Sequence, residues 1–219
     1  MDKAAPSTRT RIQRLPARAA YDADTIAAIL DEGLLCHIGF AVDGQPFVIP
    51  ATYVRRGDQL YVHGSAASRM LKTLASGVDA CVTVTLLDGL VLARSAFHHS
   101  MNYRSVVVLG RAVAVTDVEE KRRVLAALLE HVLIGRSGET REPNDKELGA
   151  TLVLALPLTE ASAKIRRGPP LDDEADYALD YWAGELPLRL QPLAPIRDPR
   201  LPAEVQTPES LARYRRGPT

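Results

Sequence analysis

The sequence predicts a mainly β protein, a small closed barrel of antiparallel strands with peripheral α-helices. Three observations lead there. Short Val-, Ile- and Thr-rich runs recur from Leu34 onward, separated by turn signals such as Asp43-Gly44 and Arg56-Gly57-Asp58. Helical spacing of apolar residues is confined to segments that precede, interrupt or follow those runs. With three Phe and one Trp in 219 residues, the core must be built from Val, Leu, Ile and Ala, packed between a closed sheet and its helices.

Residues 1–20 are Ala-, Arg- and Pro-rich without periodicity and are expected to form an extended arm. Asp22 can cap a helix with Ile26, Ile29 and Leu30 on its apolar face, stopped by Gly33 at C′. Leu34 to Val42 and Phe47 to Val54 read as a hairpin around Asp43-Gly44, because that dipeptide supplies the two positive φ angles of a tight turn. Arg55 to Asp58 make the next turn and Gln59 to His63 the third strand. A short helix is expected from Ser68 to Ser76, ending at Gly77.

Ala80 to Leu87 and Ser105 to Val115 follow as Val-rich strands, with Ser95 to Arg104 between them as an irregular connection. Thr116-x-x-Glu119 has the form of a capping box. It opens a helix to about Leu133 with Val118, Leu125, Leu128, Leu129 and Val132 on one face. Thr151 to Leu158 and Ala161 to Arg166 are the closing strands. After Gly168-Pro169-Pro170 the composition shifts, and seven prolines lie at or beyond Pro187. The expected division is therefore an arm (1–20), a barrel domain (21–168) and a Pro-rich extension (169–219) that packs on the barrel without a core of its own.

Charge excludes little but points nowhere special. The 27 basic and 27 acidic residues balance, so no global field favours nucleic acid or an anionic membrane. The basic ends (Lys3, Arg9, Arg11, Arg14 and Arg18; Arg213, Arg215 and Arg216) read as solvated tails. Cys36 and Cys81 sit in apolar runs without CxxC spacing and are expected to pack as small hydrophobes in a reducing compartment. No apolar run has the length of a membrane span, and the expected location is the cytoplasm. GxSxG, HExxH, P-loop and GxGxxG motifs are absent, which leaves hydrolase and nucleoside-triphosphatase chemistry without support.

The segment Val48 to Lys72 carries the strongest functional signal. A row of strand backbone (Val48, Ile49, Pro50, Ala51, Thr52) can line a flat hydrogen-bonding ligand. His63-Gly64-Ser65 then leads to Ser68-Arg69, where hydroxyls, N–H groups and a guanidinium suit an anion. A phosphorylated flat cofactor fits both halves, with flavin mononucleotide (FMN) the leading candidate. His98-His99 offers imidazoles but no further His, Cys or acid at ligand spacing, so no metal is expected there. One of them, with Asn102, Tyr103 and Arg104, can line a pocket mouth. Tyr177, Tyr181 and Trp182 alternate with Asp172, Asp173, Glu174 and Asp176, either as an anchored surface segment or as a lid.

The motifs CHIGFAVDGQPFVIPATYV, LYVHGSAASRMLKTL and HHSMNYRSVVVLGRA resemble the FMN-binding split-barrel superfamily, within it the pyridoxamine 5′-phosphate oxidase-related group that includes nitroimidazole-reductase (Nim) relatives. The resemblance spans about residues 22–166, and KIRRGPPLDDEADYALDYWAGELPL is similar to one subgroup. It implies a split β-barrel of the FMN-binding type, acting as a homodimer with FMN between subunits and a small-molecule substrate. By position, Val48 to Thr52 would contact the isoalloxazine and His63, Gly64 and Ser65 the ribityl and phosphate. Ser68 and Arg69 match a Ser-Arg-Lys phosphate signature whose third member is Met70 here, with Lys72 one step away. Arg104-Ser105 stands where the oxidase has an Arg-Gln pair that reaches the flavin. The oxidase's substrate-gripping residues near the C-terminus are not recognisable, so flavin-dependent oxidoreduction with NAD(P)H or another donor is implied rather than the oxidase reaction. His63, His98 and Tyr103 are the candidates for moving a proton. Other classes to weigh are a non-catalytic flavin module or redox sensor, and a deazaflavin (F420) or haem protein on the same barrel.

Overall fold

The computed structural model describes residues 5–214, so Lys3, Arg215 and Arg216 of the basic ends lie outside the described residues. After a two-residue strand β1 (Ala19–Ala20), helix α1 (Ala23–Glu32) leads into β2 (Leu35–Val42), β3 (Gln45–Arg56) and β4 (Gln59–Ser65). Helix α2 (Arg69–Ala75) crosses to the long hairpin β5 (Asp79–Leu92) and β6 (Ser100–Arg111). A further two residues, β7 (Val113–Ala114), precede α3 (Val118–Val132), α4 (Asp145–Ala150), β8 (Thr151–Pro157) and β9 (Ala161–Arg166). The extension contributes β10 (Gly184–Pro187) and a last turn of helix, α5 (Glu209–Ala212).

All strand pairs are antiparallel. The order β6-β5-β2-β3-β4-β8-β7 closes on itself, because β7 continues β6 past Ala112. This closure removes the edges an open sheet would expose. The β2–β3 turn is of the tight primed kind, with Asp43 at φ 49° and Gly44 at φ 80°.

Inside, Ile38, Leu60, Val82, Val84, Val106, Val108, Leu154 and Ala163 form the barrel core. Two helices close its ends. Ile26, Ile29 and Leu30 of α1 enter beside Tyr53 at one end, and Leu71 and Leu74 of α2 plug the other. Asp22 caps α1, accepting the Thr25 N–H at 2.8 Å. Gly33 follows the helix with φ −69°, so it is not the left-handed stop expected from the sequence. Close approach requires it: a Cβ there would stand 2.5 Å from the Tyr53 hydroxyl and 2.6 Å from Val84 Cγ1.

Three further expectations are corrected. The β5–β6 hairpin is longer than its Val-rich runs, and Met101 to Arg104 are strand, paired with Leu90 to Leu86 across a bulge at Leu87/Gly89. Polar side chains are tolerated there because they are paired, Asn102 with Arg166 and Glu185 and Arg104 with Glu32 and Asp88. The N-cap of α3 is Asp117 rather than Thr116, its carboxylate accepting the Glu120 N–H at 2.7 Å. The buried stripe of α3 is Val124 and Leu128, packed on Val54, Tyr61 and Val153, whereas Val118, Leu129 and Val132 are exposed. A narrow helix stripe suffices because α3 covers only the outer face of three strands.

Candidate functional site

The barrel is split where β3 parts from β4. Pairing between them runs from Arg56–Gln59 to Tyr53–Val62 and is not continued to Thr52 and His63. Beyond that point β4 stays with β8 (His63–Val153, Ser65–Thr151) while β3 stays with β2 (Thr52–Leu35, Val48–Gly39). The half-strand Val48 to Thr52 therefore turns one backbone edge toward a gap. Along it Val48, Pro50 and Thr52 point outward and are exposed, while Ile49 and Ala51 pack against the core.

Across the gap lies the turn into α2. Ser65 accepts the Ala67 N–H at 3.1 Å and Ser68 accepts the Leu71 N–H at 3.4 Å, so both hydroxyls shape the turn. Arg69 is exposed, and its guanidinium lies 5.2 Å from the Phe47 ring centroid. That contact is a cation–π pair, and it places a positive charge at the start of the β3 half-strand. Lys72 is exposed on the same helix. Val48 to Thr52, His63 to Ser65, Ser68, Arg69 and Lys72 are thus brought to one region by β3, β4 and α2.

A cleft of about 1050 Å³ adjoins the gap. Thr52, His63 and Thr151 are on its barrel side; Leu125, Leu129 and Val132 of α3 and the 137–143 segment form its other wall. Helical spacing in the sequence puts Leu125, Leu129 and Val132 on one face but does not place that face opposite Thr52 and His63. Arg122 builds the wall by donating to the Pro143 carbonyl at 2.9 Å and to Asp145 at 3.0 Å. The Asn144/Glu147 capping box of α4 fixes its end, a signal readable from the asparagine three residues before the glutamate. His63 is half-buried with Nδ1 enclosed and without a hydrogen-bond partner. Burial pushes its pKa below the usual histidine value, so the ring is neutral at pH 7.

Arg104 and Ser105 are placed elsewhere. The Arg104 guanidinium bridges Glu32 and Asp88, with Nε on Asp88 at 2.9 Å and Nη2 on Glu32 at 2.8 Å and Asp88 at 2.7 Å. Hydrogen bonds to Asp88 and Glu32 raise its pKa further above the ordinary arginine value. Ser105 donates to the Lys164 carbonyl at 3.3 Å, three strands from β3 in the sheet order. Neither meets the gap within one chain.

The other candidates gather at the tip of the β5–β6 hairpin with the extension. Asp172 accepts the backbone N–H groups of Arg94 and Ser95 and the Arg94 guanidinium, and Arg94 lies 5.0 Å from the Tyr177 ring. His98 Nε2 is 3.5 Å from Asp173, at the limit of an ion pair and without hydrogen-bond geometry. Asn102 joins Arg166 to Glu185, a network the sequence did not reveal. Tyr181 and Trp182 are exposed. Among the described residues no three His, Cys, Asp or Glu side chains converge as a metal site. Burial pushes the Cys36 thiol up to about 12, leaving it unreactive at neutral pH.

A family model described as pyridoxamine 5′-phosphate oxidase matches residues 22–165. The chain belongs to this pyridoxamine 5′-phosphate oxidase-like family. Among solved structures, the flavocytochrome Anf3 from Azotobacter vinelandii is 46% identical, covers 97% of this chain and 99% of its own, and superposes with a TM-score of 0.92. A FAD- and haem-binding protein from Mycobacterium smegmatis is 37% identical over 89% of this chain and 96% of its own, with a TM-score of 0.86. A protein from Bacteroides thetaiotaomicron named for 5-nitroimidazole antibiotic resistance shares the fold at 23% identity over 67% of this chain and 86% of its own (TM-score 0.55). A search of curated proteins gave no match. Flavin-binding split barrels are thus the structural neighbours of this oxidase-like chain, and no helix of its described residues is long and apolar enough to cross a membrane.

Proposed function

We propose that this chain is a redox protein that binds a flavin and a haem and works as a pair of identical copies. One observation carries the reading: the likeness to the flavocytochrome covers 97% of the chain, and so runs on through the extension, where the oxidase model stops at residue 165. The sequence alone favoured FMN and held haem as an alternative; the FAD and haem named for the mycobacterial relative move haem forward.

The residues present suit both groups. The open edge of Val48 to Thr52 offers backbone donors and acceptors to a flat heterocycle, and the Thr52 hydroxyl adds one that can rotate to either role. Arg69 and Lys72, with the Ser65 and Ser68 turn, hold phosphate oxygens. The FAD named for the mycobacterial relative favours FAD. FMN is the second reading, favoured by the Ser68-Arg69 pair. His63 is the histidine suited to a haem iron, since its half-buried, neutral ring lies on the barrel side of the cleft. When bound, a flavin supplies two-electron chemistry and a haem one-electron steps. The chain's own work is to orient both groups and to keep water from the apolar wall formed by Leu125, Leu129 and Val132. A second copy covers the outward face of β3.

The visible spectrum of the purified protein, with released cofactors identified by mass, tests this directly. Flavin absorption with a Soret band, and FAD and haem released, is the expected result. Flavin without haem, or FMN in place of FAD, returns the protein to the simpler flavin module, and a colourless protein that takes up neither cofactor refutes the proposal.

A further inference from the structure

Leu188 donates its N–H to the Asp88 carbonyl at 3.0 Å, and the chain then leaves the barrel. It rejoins the body at α5, where Ser210 donates to Glu139 at 2.5 Å and packs against Gly135. In between, residues 189–207 are exposed throughout. Their described hydrogen bonds are internal, such as Leu201 N–H to the Asp198 carbonyl and Arg197 to the Val205 carbonyl. The segment is a strap with both ends fastened.

Its apolar side chains face solvent: Leu190 is 77% exposed, Leu193 87% and Ile196 98%. Pro192, Pro195 and Pro199 favour polyproline II backbone, in which residues about three apart share an edge. Leu190, Leu193 and Ile196 have that spacing, so they form one apolar stripe roughly 19 Å long. Prolines also fix the backbone before contact, which lowers the entropy lost on docking. The two attachments fix where the stripe leaves the body and where it returns.

A matching surface exists on the same chain. The outward side chains of β2 and β3 form a face in which Val48 is 67% exposed and Leu35 48% exposed, with the exposed His37–Pro50 pair between the Val48–Gly39 and Leu35–Thr52 pairs in register. We propose that the strap of one copy docks on this face of a second copy, with Leu190, Leu193 and Ile196 against Leu35, Val48 and Pro50. A two-fold pair makes the contact twice, each copy giving a strap and receiving one. Because the contact is made twice, the area covered by residues 189–207 counts twice toward the interface. In this arrangement the strap lies over the partner's open β3 edge, so each copy completes the other's cofactor site. It rests on the pairing of copies proposed above but not on which cofactor is bound.

Two measurements on the full chain test it. Sedimentation equilibrium of L190E/L193E/I196E against wild type should show a wild-type dimer and a dissociation constant raised at least about a hundred-fold; the three side chains are exposed in one copy, so the fold is expected to stand. A photo-crosslinking residue at Ile196, in a mixture of isotopically light and heavy protein, should give heavy–light products on peptides from Leu35–Thr52. A wild-type monomer overturns both the pairing and the strap. A wild-type dimer whose dissociation constant is unchanged in the variant, or crosslinks within one chain or to other peptides, overturns the strap and leaves the pairing standing.

Discussion

Arg104→Met separates a structural arginine from a flavin-binding one. By position in the family this residue would reach the flavin, yet its side chain is 12% exposed and forms ion pairs with Glu32 (20% exposed) and Asp88 (30% exposed). Methionine keeps most of the volume and removes the charge, leaving two carboxylates at the end of α1 and in the β5 bulge without their shared partner. Removing one side of a fully buried pair costs about 3–5 kcal/mol, and an exposed pair is worth about 1 kcal/mol or less. Two partly exposed acceptors with bidentate geometry fall between these limits, so a loss of about 2–3 kcal/mol is expected. Urea denaturation of the apoprotein would read it as a lower midpoint with an unchanged slope. In parallel, flavin titration of the folded variant should give an affinity within about threefold of wild type, or roughly 0.6 kcal/mol. Unchanged stability with flavin affinity reduced ten-fold or more would refute the structural assignment and restore the family role.

The remaining expectations are shorter. Arg69→Ala should lower flavin affinity by about 2–4 kcal/mol through lost charge-assisted phosphate contacts, while its exposed cation–π pair with Phe47 limits the stability loss to about 1 kcal/mol; isothermal titration with urea melts checks both, and unaltered affinity would remove the phosphate assignment. His63→Ala should abolish haem uptake and leave flavin uptake, measured as haem and flavin per chain after reconstitution. Because burial lowers the His63 pKa, the neutral ring contributes stability that is complete above its unfolded value of about 6.5 and is lost as pH falls toward the folded value; NMR of the ring protons should place its midpoint below about 6.5, and a midpoint above that would contradict the burial. Gly33→Ala should cost about 1–3 kcal/mol by overpacking, plus any weakening of the 2.6 Å hydrogen bond from Tyr53 to the Leu30 carbonyl; a thermal melt within a degree or two of wild type would show that the neighbours yield. Glu147, held to about 2 by hydrogen bonds from Arg141 and the Asn144 N–H, should keep α4 capped through mild acid and lose that contribution only as pH falls from the ordinary carboxylate range toward 2, visible as a low-pH shift of its carboxyl resonance.

The sequence by itself determined most of the elements and the family. Alternation and turn chemistry are local, so Asp43-Gly44 announced its hairpin, Asp22 its helix and Ser68 its cap, and each is where the pattern put it. Three ordered motifs were enough to place the family, because the Ser65–Arg69 turn and the β3 half-strand lie within one short stretch of chain. Tertiary structure decided what depends on distant segments meeting. Gly33 looked like a helix stop, and only the approach of Tyr53 and Val84 shows that it must lack a side chain. Arg104 holds Glu32 and Asp88 together, 72 and 16 residues away in sequence, a bridge that no local pattern announced. The cleft wall of α3 and residues 137–143 carries no motif, since its lining is ordinary helix and loop brought to Thr52 and His63 by sheet closure. Local propensity acts over a few residues and leaves its mark in composition. Closure of the barrel joins β7 to β8 across some forty positions, and no short window of sequence records which surfaces that brings together.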